Sequence, residues 1–536
     1  MPIAFSRGAL SHITQIQCRG PELLFWGTAL IASLRMPALP TSLPRICVAL
    51  GFPDSEQLMR SAEKEYKDGN TFLEFRLDYL GDASAGVDLI RAFRDRYSDA
   101  QVLATCRHKQ SLGRFSGSLQ RQLEILQAAG NAGAVAVDLE LESAERAGAI
   151  AAKLREHSAL IVSYHSFQNT PAPAGVLRRL QRIPADAYKL VTTACKPNDN
   201  LRLSDFVKAY RGVPLIAFAM SETGLATRIL GPAFGCAFTY AAPSDDAGTA
   251  PGQVPAKLMR SLYRTDKLSQ HTHIYGVIAD PVAHSKSPII HNRAFQAKRI
   301  DAVYLPFLVA PSHLSDWMKL AAKLPVCGFS VTIPHKQKMI RHIEIVEPLA
   351  KRIGAVNTVW RKAGKWRGTN TDVEGFMKPL QRHIRPANSS ILIAGYGGAA
   401  RAAAIALADA GARITITGRS TTRAQDLARI LKAAVVSLKQ AQTQSYDALI
   451  HATPVGMLPR PEETLFPDRV PASLVLDMVY NPHETLLLKQ AKEQGSTVIY
   501  GAEMLLEQAA CQFEIWTGES APRVVMQSAL EQALSG

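Results

Sequence analysis

No CxxC pair occurs in this chain, and its seven cysteines (18, 47, 106, 195, 236, 327 and 511) are widely scattered. An odd, dispersed set argues against a disulfide framework and against a structural zinc site, and it suits a reducing compartment. Runs of five or more Lys or Arg are also missing, as are basic stretches interleaved with aromatics. The formal charge of +15 therefore argues against a nucleic-acid-binding module, which stays open only as a rival reading. Anionic small substrates and a phosphorylated cofactor explain a diffuse positive field equally well. No apolar run is long enough to span a bilayer; the candidate, LLFWGTALIASL, is too short, so no membrane partner is expected. Acids are nearly missing from the first 45 residues, which carry Arg7, Arg19, Arg35 and Arg45 but only Glu22. Starts of this kind are typical of plastid transit peptides; the preferred reading is a start assigned too early, with Met36 as initiator and a cytoplasmic enzyme.

What is present is enough for several cores. A length of 536 residues implies two to four domains, and 47% apolar with 20% charged residues is ordinary for a soluble enzyme. From Ile46 to about Thr239, short β-branched runs recur: ICVAL (46–50), FLEFRLDYL (72–80), QVLATCRH (101–108), GAVAVDLEL (133–141), LIVSYHSF (160–167), AYKLVTTA (187–194), PLIAFAMS (214–221) and CAFTYAAP (236–243). Amphipathic, helix-length stretches such as LQRQLEILQAAG and AERAGAIAAKLREH separate most of them. Eight strand–helix repeats in roughly 200 residues predict a (β/α)8 barrel, with KLMRSLYRTDKL as its last helix. Polar residues fall at the strand ends where barrel chemistry sits: Glu74, Arg76 and Asp78 alternating on strand 2, Arg107 after strand 3, His165 on strand 5, Lys189 on strand 6, Arg228 after strand 7, and Thr249 and Gln253 after strand 8. A lysine inside a barrel, beside arginines, is expected to have a depressed pKa and a nucleophilic amine. Singly, a strand His is more often a satisfied core residue and a Lys a solvated one; the whole set, in order at strand ends, favours chemistry.

The stretches EFRLD, SYHSF, AYKL, MSETGLATRILG and TAPGQ resemble the type I 3-dehydroquinate dehydratase family over nearly the whole segment. The resemblance implies a Schiff base from Lys189 to the C3 ketone of 3-dehydroquinate, and His165 moving the C2 proton to the leaving hydroxyl. Arg228 would pair with the carboxylate, and Glu74, Arg76, Arg107, Thr249 and Gln253 would surround the substrate. The family often carries Glu–Gly–Gly after the strand-3 arginine; here Ser111 stands at the Glu position, in RHKQSLGRFSG. That puts the histidine's supporting partner in question, with Gln110 as one substitute, and motivates the rival reading of an inactive barrel scaffold.

After a short junction, LSQHTHIYG (268–276), the second half begins. Ser285 and Ser287 straddle Lys286 where a helix could start, a place to hold a carboxylate or simply to cap the helix. CGFSVTIPHK delivers Lys336, IGAVNTVW offers Asn357 and RGTNTDVEGF offers Asp372. A Lys–Asp pair can pass a proton as a ketone becomes an alcohol; the alternative is an ordinary surface ion pair. ILIAG then enters Gly395–Tyr396–Gly397–Gly398–Ala399–Ala400 before an alanine-rich run, a G-x-G-x-x-A loop in strand–turn–helix context. The next strand lacks the acid usual for NAD and ends at Arg419, Ser420 and Arg423, a clamp for a 2′-phosphate, so the cofactor expected is NADP (NADPH), with no metal.

HSKSPIIHN, VTIPHK, GAVNTV, GTNTD, GYGGAAR, ATPVGM, DMVYNP and GAEMLLEQAACQFEIWTG resemble shikimate dehydrogenase throughout this half. The resemblance implies Lys336 and Asp372 as the catalytic pair. Ser285, Ser287, Thr332, Asn357, Tyr480 and Gln508 become substrate contacts. Gly395, Gly397, Gly398, Ala399, Arg419, Ser420, Arg423, Thr453, Met457 and Gly501 become cofactor contacts. Departures are Ser330, Tyr396, Gly418 and His451. The expected α/β architecture is an extension (1–45), a barrel (46–267), a substrate lobe (272–385 plus 503–536) and a Rossmann-type cofactor lobe (386–502). The expected substrates are 3-dehydroquinate and 3-dehydroshikimate, in a monomer or homodimer, with quinate preference as a rival for the second half.

Overall fold

The computed structural model describes residues 38–244, 248–250 and 252–535. Residues 1–37, which carry the question of Met36 and of a transit peptide, lie outside them. Eight short parallel strands come first: β1 (Ile46–Leu50), β2 (Phe72–Arg76), β3 (Gln101–Thr105), β4 (Ala136–Glu140), β5 (Ala159–His165), β6 (Ala187–Thr193), β7 (Leu215–Met220) and β8 (Thr239–Ala241). They pair in the order β7-β6-β5-β4-β3-β2-β1-β8. The seam between β7 and β8 is stitched by the Ala237 N–H donating to the Leu215 carbonyl at 2.8 Å, so the sheet is a nearly closed barrel. Strands buried on both faces explain the unbroken β-branched runs. Cys47, Phe72, Leu103, Ile161, Val191, Phe218 and Phe238 fill the interior, and Leu39 with Leu43 pack against this inner core, so the ordered fold starts ahead of β1.

Three expectations shift. Strand 2 ends at Arg76, and Asp78 lies in a 3-10 turn, Leu77–Tyr79, from which it reaches back to Arg76. AERAGAIAAKLREH is helical only to Ala147; Gly148, at φ 54, breaks it into a 3-10 segment, Gly148–Glu156. The last barrel helix is short, Ala256–Ser261.

The second half has two sheets. The first is mixed, ordered β10-β9-β11-β13-β14-β12: β9 (His273–Ala279), β10 (Ala302–Leu308), β11 (Val326–Val331), β12 (Ile345–Val346), β13 (Thr358–Lys362) and β14 (Lys365–Thr369). The second is fully parallel: β15 (Ser390–Ala394), β16 (Arg413–Thr417), β17 (Ala434–Val435), β18 (Tyr446–His451), β19 (Ala472–Asp477) and β20 (Thr497–Ile499). Its order, β17-β16-β15-β18-β19-β20, is that of a doubly wound dinucleotide fold, with the switch point between β15 and β18. The long helix Gly501–Thr517 leaves this sheet and packs on the helix Asp372–Gln381, while the final helix, Arg523–Ser535, packs on Ser287–Ala297 beside the mixed sheet.

Barrel and mixed sheet share one hydrophobic core, running from Leu203 and Leu230 of the barrel helices to Phe307 and Trp317. Arg264 donates to the Ala302 carbonyl and Gln296 to the carbonyls of Ser261 and Leu262 across the same junction. No helix of the described residues is long and apolar enough to cross a membrane.

Candidate active sites

Inside the barrel, on the middle of its strands, Lys189 Nζ donates to Asp138 Oδ2 (3.0 Å) and to the Tyr240 hydroxyl (2.8 Å), and lies 3.8 Å from Glu74 Oε1. Its direct partners are thus carboxylates and a phenol, because β2 and β4 turn Glu74 and Asp138 into the interior beside β6, and the expected arginine, Arg107, is reached through Asp138. Asp138 also accepts from Ser163 Oγ (2.6 Å) and Arg107 Nη2 (3.3 Å). Burial opposes its charge, yet Lys189, Arg107 and the Ser163 hydrogen bond outweigh burial and hold the carboxyl below its usual range. Thr105 donates to Glu74, and Arg76 grips Asp78 through two bonds of 2.9 Å.

His165 is half-buried at the end of β5, and its ring makes no hydrogen bond to a described residue. Burial, with the positive charges of Arg107, Lys189 and Arg76, pulls its pKa well below the ordinary imidazole value, so the ring is neutral and able to take a proton. The substitute partners fail to reach it: Ser111 donates to Glu142, and Gln110 accepts from Arg146 on the surface. Leu112 follows with φ 58, a left-handed conformation that disfavours a leucine by about 1 kcal/mol.

Arg228 is the most informative anchor. It is fully buried and lies over the Phe218 ring; among the described residues it donates only to the Tyr240 carbonyl (3.3 Å) and leaves Nε and Nη2 without partners. Burial alone pulls its pKa down to about 9. A buried guanidinium with two idle donors in a fork suits a ligand carboxylate. Gln253 folds the loop after β8 by accepting from the Thr249 and Ala250 amides (2.7 and 3.2 Å), and the Thr249 carbonyl accepts from Tyr79. Gln253 is therefore a brace as well as a candidate contact.

In the second half, Lys336 Nζ donates to Asp372 Oδ2 at 2.6 Å, and Asn357 Nδ2 donates to Asp372 Oδ1 at 2.8 Å. Asn357 is aimed by donors onto its own Oδ1, from Thr358 Oγ1 (2.7 Å) and the Thr371 amide (2.8 Å). Gln512, which the sequence left unmarked, accepts from Ser330 and donates to Thr358 and to the Asn357 carbonyl, tying β11 and β13 together behind the site. With its proton on Gln512, Ser330 Oγ accepts from the Tyr304 hydroxyl at 2.6 Å. Ser285 Oγ accepts from the Ser287 amide at the start of a helix. Burial raises Tyr480, whose hydroxyl faces the Lys286 backbone, so the end of β19 meets the Ser-Lys-Ser turn. Thr332 and Gln508 are half-buried, and Gln508 lies on a helix pressed to Gly375, where a Cβ would come within 2.7 Å of its own.

The glycine loop sits next to this pair: a Cβ on Gly398 would lie 3.4 Å from Lys336 Cβ. Gly395, at φ 127, comes so close to Ala452 that a Cβ would lie 2.7 Å from its carbonyl oxygen. A Cβ on Gly397 would meet open space, and the helix Gly398–Asp409, which also holds Ala399, has no side-chain cap. An open cradle at uncapped amides fits a pyrophosphate. Ser420 caps the next helix through the Arg423 amide (3.4 Å), and Arg419 and Arg423 are exposed with no carboxylate partner among the described residues. Met457 is exposed on the loop after β18. Gly501 is different: a Cβ there would strike the Val479 carbonyl, so this glycine serves close packing.

The comparisons fall in the same places. A family model described as type I 3-dehydroquinase matches residues 46–270; shikimate dehydrogenase substrate-binding and C-terminal domain models match 277–359 and 501–531. The chloroplastic bifunctional 3-dehydroquinate dehydratase/shikimate dehydrogenase of Arabidopsis thaliana is 34% identical over 503 residues, 89% of this chain and 83% of that one. This chain belongs to the bifunctional 3-dehydroquinate dehydratase/shikimate dehydrogenase family. It is a shikimate-pathway lyase joined to an NADP-dependent oxidoreductase. The dehydrogenase half is also 42% identical to the NADP(+) shikimate dehydrogenase of Bacillus cereus over 258 residues, 46% of this chain and 92% of that one. The shikimate 5-dehydrogenase of Thermus thermophilus, solved with NADP(H) and shikimate, is 34% identical, covering 49% of this chain and 100% of its own, with a TM-score of 0.45.

Two departures of the dehydrogenase half now have a physical account. A Cβ on Gly418 would sit 2.9 Å from the Tyr396 ring, so the larger side chain at 396 occupies the space left by the smaller one at 418. His451 Nδ1 bonds Asp477 (2.8 Å), which leaves Nε2 to accept from Thr453 Oγ1 (2.6 Å) and fixes the direction of that hydroxyl. Asp138, Ser163 and Tyr240 in the dehydratase half, and Gln512 and Asp477 in the other, went unmarked by sequence reasoning. Only Asp138 left a signal: an acid inside the apolar run GAVAVDLEL.

Proposed function

We propose that Lys189 is the Schiff-base nucleophile of the dehydratase and that Arg228 binds the carboxylate of 3-dehydroquinate. Neutral His165 takes the C2 proton, and the same imidazole, now charged beside Arg107 and Lys189, readily returns it to the leaving hydroxyl. Arg76 and Arg107 keep donors free for the substrate beyond their carboxylate partners. The observation that carries this reading is a buried lysine inside the barrel, linked through Tyr240 to a fully buried guanidinium with two donors unpaired among the described residues.

In the dehydrogenase half, Lys336 and Asp372 form the proton-transfer pair, and Asn357 orients Asp372. Ser285, Ser287, Thr332, Tyr480 and Gln508 surround the hydroxylated ring and its carboxylate. Gly395, Gly397, Gly398 and Ala399 hold the pyrophosphate, Arg419, Ser420 and Arg423 the 2′-phosphate, and Thr453 and Met457 line the approach. When bound, NADPH supplies the hydride for the ketone carbon. Lys336 donates the proton to the developing alkoxide, and Asp372 holds that ammonium in place.

The test supplies 3-dehydroquinate with NADPH and follows nicotinamide absorbance in wild type and Lys189→Ala. Wild type is expected to oxidise NADPH, and the variant only when given 3-dehydroshikimate. A wild type that itself needs 3-dehydroshikimate would make the barrel an inactive scaffold.

A further inference from the structure

One buried group beside Lys189 has no task in these steps. Tyr240, on β8, places its hydroxyl 2.8 Å from Lys189 Nζ, and the ring centre lies 4.0 Å from the same nitrogen. Lys189 is thereby bracketed, with Asp138 at 3.0 Å as its other close partner. Phe218 and Phe238 pack against the Tyr240 ring at centroid distances of 5.9 and 5.5 Å, and Arg228 donates to its backbone carbonyl. The residue therefore has little freedom to swing away, and it links the amine to the carboxylate anchor. Burial, reinforced by the negative charge of Glu74, pushes the phenol well above its ordinary pKa, so the hydroxyl keeps its proton. His165 has no such contact with the amine.

We propose that Tyr240 is a further catalytic residue of the dehydratase: its phenol O–H lends the proton with which the substrate's ketone oxygen leaves as water when Lys189 forms the Schiff base. The proposal rests on Lys189 being the nucleophile. The ammonium first gives one proton to Asp138, and the Tyr240 hydroxyl turns from acceptor to donor on the free amine. The nitrogen lone pair then forms the N–C bond, the C=O π pair moves to oxygen, and one N–H proton follows it to give a neutral carbinolamine. Next the C–O bond breaks, the hydroxyl departs with the Tyr240 proton, and the nitrogen lone pair closes the C=N bond. Asp138 returns its proton through Lys189 nitrogen, which lies between the two side chains, and the phenolate is neutral again. Ammonium plus ketone has become iminium plus water with no net proton taken up. Hydrolysis after dehydration runs the same steps backwards.

The experiment uses the full chain. Borohydride is added at successive times after mixing with 3-dehydroquinate, and adduct formation is read by intact mass. Tyr240→Phe keeps the ring and is expected to form the adduct about 10²-fold more slowly, the scale of one general acid. NADPH-dependent reduction of 3-dehydroshikimate by the same sample, unchanged, reports that the chain is folded. A fluorinated tyrosine at 240 restores the hydroxyl and should restore fast trapping, which a packing role alone would not demand of Phe. Equal trapping rates in wild type and Tyr240→Phe would overturn the proposal, as would a fluorinated variant as slow as Phe. A wild type that traps no adduct would instead refute the assignment of Lys189, and the role of Tyr240 with it.

Discussion

Both proposed active sites are built around a lysine bonded to an aspartate, and the two pairs differ in nearly everything else. Lys189 is 4% exposed and touches Asp138, Tyr240 and Glu74 inside a barrel. The Lys336 side chain is 16% exposed, has Asp372 as its close partner, and stands where the mixed sheet faces the glycine loop of the parallel one. An amine that must make and break a covalent bond needs fixed neighbours to take and return protons, and a closed strand ring supplies them from β2, β4 and β8. An amine that only passes a proton needs a path to substrate and cofactor, which a seam between two sheets supplies. Chemistry that looks alike in the sequence is separated by where the fold leaves room.

The comparison is broken most severely by removing each lysine in turn. Lys189→Ala should lose dehydration by 10³-fold or more, in the range for nucleophilic groups that act as a unit, with reduction of 3-dehydroshikimate intact. Lys336→Ala should do the reverse, by about 10²- to 10⁴-fold. Separate assays of the two half-reactions decide this.

Arg228→Met sharpens the contrast between binding and stability. Dehydratase kcat/KM should fall about 10²-fold through loss of the carboxylate contact, while the chain gains about 1 kcal/mol, because two buried unpaired donors disappear. Steady-state kinetics together with denaturant unfolding would check both signs.

The third expectation concerns pH. Burial pulls His291, which stacks on Tyr304 in the substrate lobe, down to about 3, against a smaller opposing pull from Gln512. The unfolded chain binds a proton at this site below about 6.5 and the native chain does not. Stability should therefore be lost as pH falls from about 6.5 toward 3, by at most about 1.4 kcal/mol per pH unit from this group. Thermal melts between pH 5 and 7 should show the decline, and His291→Phe should flatten it.

The smallest effect is the coupling of Tyr396 to Gly418. Gly418→Asn alone should raise the KM for NADPH several-fold by displacing the tyrosine ring, and Tyr396→Ala in the same chain should relieve most of that. A double-mutant cycle with a coupling of about 1 kcal/mol is expected for residues in direct contact.

The sequence by itself determined most of the elements, the family and the candidate positions for chemistry. Eight β-branched runs at regular spacing can be satisfied by parallel strands buried on both faces, and GYGGAAR between a strand and an alanine-rich run needs close backbone approach to make sense. Lys189, His165, Lys336 and Asp372 were legible because each breaks a local pattern. Tertiary structure decided what surrounds them. Asp138 and Tyr240 each lie 51 residues from Lys189, and no local periodicity encodes that the barrel's curvature turns β4 and β8 onto the β6 amine. Proximity across a closed sheet is set by strand order and register, which are global properties. The same reason hid the carboxylates that stand between Lys189 and Arg107, the fit of Tyr396 over Gly418, and the two donors of Arg228 left unpaired among the described residues.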